Sequence, residues 1–204
     1  MSKKALTYLS LCALILFSAC STEKNTFLNR TYHSTTARFN GYFNANELLD
    51  QALVTFYSSK KDDFYEVLPV NLLPNEVESK GMHPAIDTAI SKCSIVIKNH
   101  SMPSTEDMYY KDVEHNKWID ENWITIGRAL YYKREYKQAK KNFEFVKRLF
   151  AKDPSYYLAR LWIAKIHIEQ RAFADAKIIL DDLNAISLEQ KEKTFRDYIS
   201  FVKD

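Results

Sequence analysis

Between Trp123 and Leu183 one pattern of residues is written twice. Each copy has an apolar run of helical period, a short polar turn, an aromatic residue, two further residues, an alanine, and a second apolar-periodic run. Tyr136-Lys-Gln-Ala139 in the first copy is answered by Phe173-Ala-Asp-Ala176 in the second, an offset of 37 between positions 136 and 173. Self-similarity on that scale marks helical hairpins stacked side by side, because one hairpin alone cannot bury its apolar face. Composition agrees. Three glycines and five prolines in 204 residues are too few for the tight turns of a sandwich or barrel, while 46% apolar content supports a sizeable core.

The tandem resembles tetratricopeptide repeats, whose consensus sets Trp, Leu, Gly, Tyr, Ala, Phe and Pro over about 34 residues. Trp123, Ile126, Gly127, Leu130, Ala139, Phe143, Val146 and Pro154 supply the first copy. Ile163, Ala164, His167, Ala176, Leu180 and Leu183 supply the second, with Arg160 at the Trp position. The fold expected is an all-α, tetratricopeptide-like array over 116–204, with repeats at about 120–154 and 157–186. Ser187 and Gln190, in capping-box spacing, are expected to open a partial third hairpin or a cap over 187–204.

The chain begins MSKKALTYLSLCALILFSAC. Lys3 and Lys4 form a basic start, Ala5 to Phe17 an apolar stretch too short to span a bilayer as an ordinary helix, and Ser18-Ala19 a small pair before Cys20. This resembles a bacterial lipoprotein signal over 1–19, with Phe17 replacing the usual branched aliphatic residue. The resemblance implies that Cys20 is acylated and becomes the mature N-terminus. Several acyl chains, at about 0.8 kcal/mol per buried CH₂, then hold the protein at the membrane. The formal charge of +3 falls to +1 once Lys3 and Lys4 leave, so charge gives no argument for nucleic acid. Of three cysteines, Cys12 leaves with the signal, Cys20 takes lipid, and Cys93 sits at an apolar helical position as a small buried hydrophobe.

Downstream, 20–44 reads as mostly extended. It is expected to leave the membrane as a tether and pack through Phe27, Tyr32, Phe39, Tyr42 and Phe43, with a turn at Asn40-Gly41. A helical region follows over 45–115. Asn44 and Glu47 have capping-box spacing for a helix to Ser58, with Leu48, Leu49, Ala52, Leu53, Phe56 and Tyr57 on its inner face. An apolar connector over 62–81 is expected to lie along a helix groove, or to serve as a docking strand. Pro84 suits the first position of a helix reaching Asn99, and a further helix or helical turn is expected over Thr105 to Glu114.

Several of these stretches carry a second resemblance. Cys20 to Arg30, Tyr32-His33, Thr35 to Asn44, Asp63-Phe-Tyr-Glu-Val-Leu-Pro69 and His100-Ser-Met102 are similar to the mature start of the PorW/SprE lipoproteins. That family belongs to the type IX secretion and gliding machinery of Bacteroidetes and carries tetratricopeptide repeats behind a lipobox. The resemblance implies a non-enzymatic outer-membrane lipoprotein facing the periplasm, with protein components of that machine as partners and neither nucleic acid nor a cofactor beyond the lipid on Cys20. Members are much longer, so this chain is expected to be a fragment or a shortened relative. Two alternatives are a nutrient-binding lipoprotein of the SusD kind and an outer-membrane assembly lipoprotein.

The sequence has no Gly-rich phosphate loop, no Gly-x-Ser-x-Gly elbow and no His-Glu-x-x-His helix. No metal site is expected from His33, His83, His100, His115 and His167, which are far apart and never at i, i+4. Asp62-Asp63 and Asp181-Asp182 read as solvated. The run Lys133, Arg134, Lys137, Lys140, Lys141, Lys147 and Arg148 reads as a solvated face, with docking to an acidic partner or lipid head groups as the sharper possibility. The repeat resemblance places Glu121, Ile124, Thr125, Arg128, Tyr131, Tyr132 and Lys165 on the concave side as the candidate partner groove. Arg128 and Tyr132 are the leading anchors, since Arg and Tyr are favoured at interface hot spots.

Overall fold

The computed structural model describes residues 26–65, 67–69, 71–103 and 114–190. The expected signal, Cys20, the helix over 105–114 and the stretch beyond 190 lie outside them, apart from Glu114. Among the described residues the chain is helical, with one isolated β-bridge between Pro103 and Glu114. The first helix runs as α1 (Phe27–Thr36), a π-helical segment (Ala37–Phe43) and α2 (Asn44–Ser58). Then come α3 (Glu76–His100), α4 (Ile119–Tyr132), α5 (Tyr136–Leu149), α6 (Pro154–Glu169) and α7 (Phe173–Gln190). Each helix packs on the next, giving three pairs in an array.

Contacts fix the directions. Gly41 faces Val96 and Lys60 pairs with Glu78, so α3 runs antiparallel to the first helix. Ser79 Oγ donates to the Tyr132 carbonyl at 2.9 Å and Asn116 Nδ2 to the His100 carbonyl at 2.8 Å, so α4 reverses again. The first members of the three pairs therefore run parallel and touch one another. That arrangement explains why α4 is buried almost all round, at Ile119, Asn122, Ile124 to Gly127 and Ala129 to Tyr131. By contrast α5 buries a single stripe, Ala139, Asn142, Phe143 and Val146.

The repeat is kept to the residue in three dimensions. Gly127 and Ala164, Ala139 and Ala176, Phe143 and Leu180, Val146 and Leu183 are buried pairs, each 37 apart. Both hairpin turns close in the same way. Arg134 and Arg171, again 37 apart, stand at φ 65° and 59°. Glu135 N donates to the Leu130 carbonyl and Arg134 N to that of Tyr131; Ala172 N to His167 and Arg171 N to Ile168 repeat both bonds. These are Schellman closures, with arginine where glycine is usual.

Residues 27–44 differ from the expectation. They are helix, not an extended tether, and no turn forms at Gly41. Asn44 caps nothing, because the helix already runs through it. The buried stripe is Asn29, His33, Ala37, Gly41, Ala45, Leu49 and Leu53, one residue in every four. An α-helix turns about 400° in four residues, so such a stripe drifts about 40° per step. The wider π turns of 37–43 take back part of that drift and keep the stripe on α3 and α4. Phe27, Phe39 and Phe43, expected to pack, are exposed at 81%, 49% and 56%.

The start of α3 also differs. Asn75 Oδ1 accepts from Val77 N and Glu78 N at 3.0 Å, and Glu78 Oε2 accepts from Asn75 N at 2.9 Å. This complete capping box starts the helix well before Pro84, which lies inside it on an exposed turn where water can reach the carbonyl it leaves unpaired. The connector is divided. Leu72, Leu73 and Pro74 are tucked in, while Phe64, Tyr65 and Val67 are exposed. At the other end α7 passes through Ser187 without a break, so the expected new helix does not begin there.

Cys93 is fully buried, and burial pushes its thiol up to about 12, consistent with packing rather than reactivity.

Two glycines mark close helix contacts. A Cβ at 41 would stand 2.3 Å from Asn122 Oδ1 and 3.0 Å from Val96; one at 127 would stand 2.4 Å from the Phe143 ring. A Cβ at Gly81, exposed within α3, would meet nothing within 4 Å. Urea unfolding should therefore show Gly41→Ala and Gly127→Ala each losing about 1–3 kcal/mol. Gly81→Ala should gain about 0.5–1 kcal/mol. Arg171→Gly, which relieves a left-handed backbone on an exposed turn, should gain about 0.5 kcal/mol.

Candidate functional site

The first members of the three pairs enclose a cavity of ≈ 250 Å³ on their shared face. Tyr42 comes from the π-helical segment, Glu121, Ile124, Thr125, Arg128 and Tyr132 from α4, and Leu158, Trp162 and Lys165 from α6. Six of the seven residues placed in the groove by sequence thus come together. Tyr131 does not. It is 1% exposed, its ring meets Tyr132, Tyr136 and Trp162, and its hydroxyl is held by Asn71 at 3.4 Å. It belongs to the core.

Trp162 was not singled out by the sequence, although a signal for it was present. Adding 37 to Glu121, Thr125 and Arg128 gives Leu158, Trp162 and Lys165, the α6 wall of the cavity. Trp162 stacks on Phe143 with centroids 6.0 Å apart and meets Tyr131 edge-on. Lys165 Nζ lies 4.6 Å above its ring and the Arg128 guanidinium 6.0 Å away, so two cations bracket one aromatic face.

Arg128 is already tied down. Nη1 donates to Asn46 Oδ1 at 2.6 Å and Nη2 lies 3.2 Å from Asp50 Oδ1. Asn46 Nδ2 in turn donates to Thr125 Oγ1 at 3.1 Å and to the Tyr42 carbonyl at 2.9 Å. The guanidinium therefore joins α2 to α4 as well as facing the cavity. Only two of its five N–H donors are used in these bonds.

Glu121 lines the same cavity. Burial, and then the neighbouring Asp120, raises its carboxyl from 4.5 to about 7, against the pull of Arg128. Burial raises Asp120 as well. Burial thus favours the protonated form of both carboxyls, and a cation or hydrogen-bond donor seated beside Glu121 would draw it into the charged form.

A second polar cluster joins residues far apart in sequence. His33 and His100 face each other with Nδ1 atoms 2.9 Å apart, and Asn116 Nδ2 donates to both of their backbone carbonyls. Glu114 accepts from Met102 N, Asn116 N and the Ser101 hydroxyl. This cluster pins the end of α3 to α1 and to the start of α4. Among the described residues, no group of three or more His, Cys, Asp and Glu is placed to hold a metal, and no helix is long and apolar enough to cross a membrane.

No protein-family model matches the chain, and no curated protein matches it. The cavity combines an aromatic floor, two cations and a carboxyl that burial holds above its ordinary range.

The raised Glu121 carries a pH signature. Its folded value lies above its unfolded one, so the folded chain holds an extra proton between about pH 4.5 and 7. This contribution to stability is full below that window and declines as pH rises through it. Glu121→Gln should make the fall in stability from pH 4.5 to 7.5 shallower. At pH 7.5 it should be more stable than the parent by about 1 kcal/mol, a figure discounted for the carboxyl's partial exposure. Urea titrations at several pH values measure both.

Proposed function

We propose that this chain is a non-enzymatic docking scaffold, a tetratricopeptide-like array held at the outer membrane by lipid on Cys20 and facing the periplasm. By its resemblance to the PorW/SprE lipoproteins, it serves type IX secretion and gliding motility by binding other protein components of that machine. The observation that carries the docking reading is the cavity shared by three parallel helices, in which Arg128, Tyr132, Trp162 and Lys165 converge. Exact recurrence of the 37-residue spacing in turns, buried pairs and groove wall supports the repeat assignment. A partner would lie across the three helices with an acidic or carbonyl group at Lys165 and an apolar group over Trp162.

The docking role is tested by crosslinking capture from membranes with the chain as bait. Lys165→Glu should reduce recovery of the specific partner about tenfold or more while leaving the unfolding transition in place; equal recovery would remove the groove from the interface. Deleting the gene should block secretion of proteins with type IX sorting domains, and normal secretion would sink the specific role. Cys20→Ala should move the protein from the membrane to the soluble fraction, which tests the anchor separately.

A further inference from the structure

The second helix of the middle pair carries a surface of another kind. On α5, Lys137, Lys140, Lys141, Lys147 and Arg148 surround an open cleft of ≈ 930 Å³ floored by Phe145. Glu144 is the one acidic side chain in its lining, and it is paired with Lys147 at 2.5 Å. Phe145 is held in place. Its ring lies 4.8 Å from that of Trp123, and the Arg148 guanidinium sits 5.8 Å above it. A ring of cations around a fixed aromatic floor fits a peptide that carries both carboxylates and aromatic or aliphatic side chains.

The chain displays such a segment itself, in the connector between α2 and α3. Asp62 and Asp63 are exposed there, Phe64 is 83% exposed and Val67 99%, and Tyr65 is fully exposed. The segment has local shape, since Tyr65 N donates to Asp63 Oδ1 at 3.0 Å. Of the two lysines before it, Lys60 is turned onto Glu78 and the Phe56 ring, leaving Lys61 against the two aspartates. Large apolar side chains this exposed mark contact surfaces, and their acidic flank rules out an acidic partner.

We propose that the basic cleft on α5 of one molecule receives the acidic, aromatic stretch Asp62–Tyr65, with Val67, of a second copy of this chain. The two surfaces lie on different elements, so a single loop–cleft contact leaves one loop and one cleft unfilled unless the two copies exchange loops about a two-fold axis. Each molecule offers one loop and one cleft, and without that exchange association runs head to tail beyond the dimer unless a ring closes. The groove on the opposite members of the pairs stays open for other partners. This contact stands or falls independently of the secretion role.

Sedimentation velocity on the purified chain tests it. Mass should rise with concentration over about 1–300 μM, and association should weaken about tenfold as salt rises from about 0.05 to 0.5 M. Lys137→Glu with Lys141→Glu, and separately Asp62→Asn with Asp63→Asn, all at exposed positions, should each leave a monomer. Mixing the two variants should give a 1:1 heterodimer and nothing larger. The intact loop of the first fills the intact cleft of the second, and the two altered surfaces stay idle. A parent chain that is monomeric throughout, variants that associate like the parent, or a mixture without heterodimer overturns the proposal. So does a monomeric parent that binds anionic phospholipid vesicles through Lys137 and Lys141, because the cleft would then belong to lipid.

Discussion

The structure depends on one joint, where the side chain of Asn122 enters the first helix. Asn122 is fully buried, and its Nδ2 donates to the Ala37 carbonyl at 3.2 Å and to that of Trp118 at 2.6 Å. Ala37 is where the first helix changes from α to π, and such a change leaves a backbone carbonyl short of its usual donor. The Asn122 amide donates at that junction. The same side chain is why residue 41 must be glycine, since any Cβ there would stand 2.3 Å from Oδ1. Carbonyl, amide and glycine thus form a single lock that sets the first pair against the second. The parallel first helices, and the cavity they enclose, follow from that setting.

The lock also explains which parts of the fold the sequence disclosed. Residues 123–183 were legible because two copies at a fixed offset bury large apolar residues at matching places, so periodicity and core coincide. In the first helix they part company. Close helix contact needs small or hydrogen-bonding side chains, so the buried stripe there begins Asn29, His33, Ala37 and Gly41. The large aromatics Phe27, Phe39 and Phe43 are left outside. Hydrophobicity pointed at the wrong face, and a stripe with a period of four matched neither the 3.6 of a helix nor the 2 of a strand. Asn40-Gly41 looked like a turn because glycine's usual signal is conformational; here its missing side chain is what matters. At α3 two start signals competed, and the Asn75–Glu78 box prevailed because it satisfies three backbone N–H groups.

The groove was legible for the same reason as the repeats, but the roles within it were not. The repeat resemblance put Arg128 in the groove, and it does line the cavity, yet spacing could not reveal that Asn46 and Asp50, some 80 positions upstream, would hold it. Tyr131 and Tyr132 are neighbours in sequence, but one step on a helix is a turn of about 100°, enough to send one into the core and leave the other on the wall. Lys165 and Trp162 form one unit in space, the ammonium above the ring. Sequence reasoning found the first and passed over the second because Trp162 looked like one more apolar residue in an apolar helix.

Among the described residues two pairs repeat one another, and each pair needs neighbours to cover its apolar faces. The third pair is supplied upstream, by the first helix and α3, and it does not look like a repeat. Its stripe on α3 is Ser79, Met82, Ile86, Ala89, Cys93 and Val96, spaced alternately by three and four, with several small side chains. Small residues let the two helices approach closely, and Leu49, Leu53 and Phe56 with Met82, Ile86 and Ala129 then continue the core from this pair into α4. An unlike pair at the start of an array of like ones has a consequence for recognition. The cavity's wall is written by the 37-residue rule on α4 and α6, but its third side, Tyr42 with Asn46 and Asp50 behind it, is not. The generic part of the site therefore comes from the repeats, and its individuality from the helix that resembles none of them.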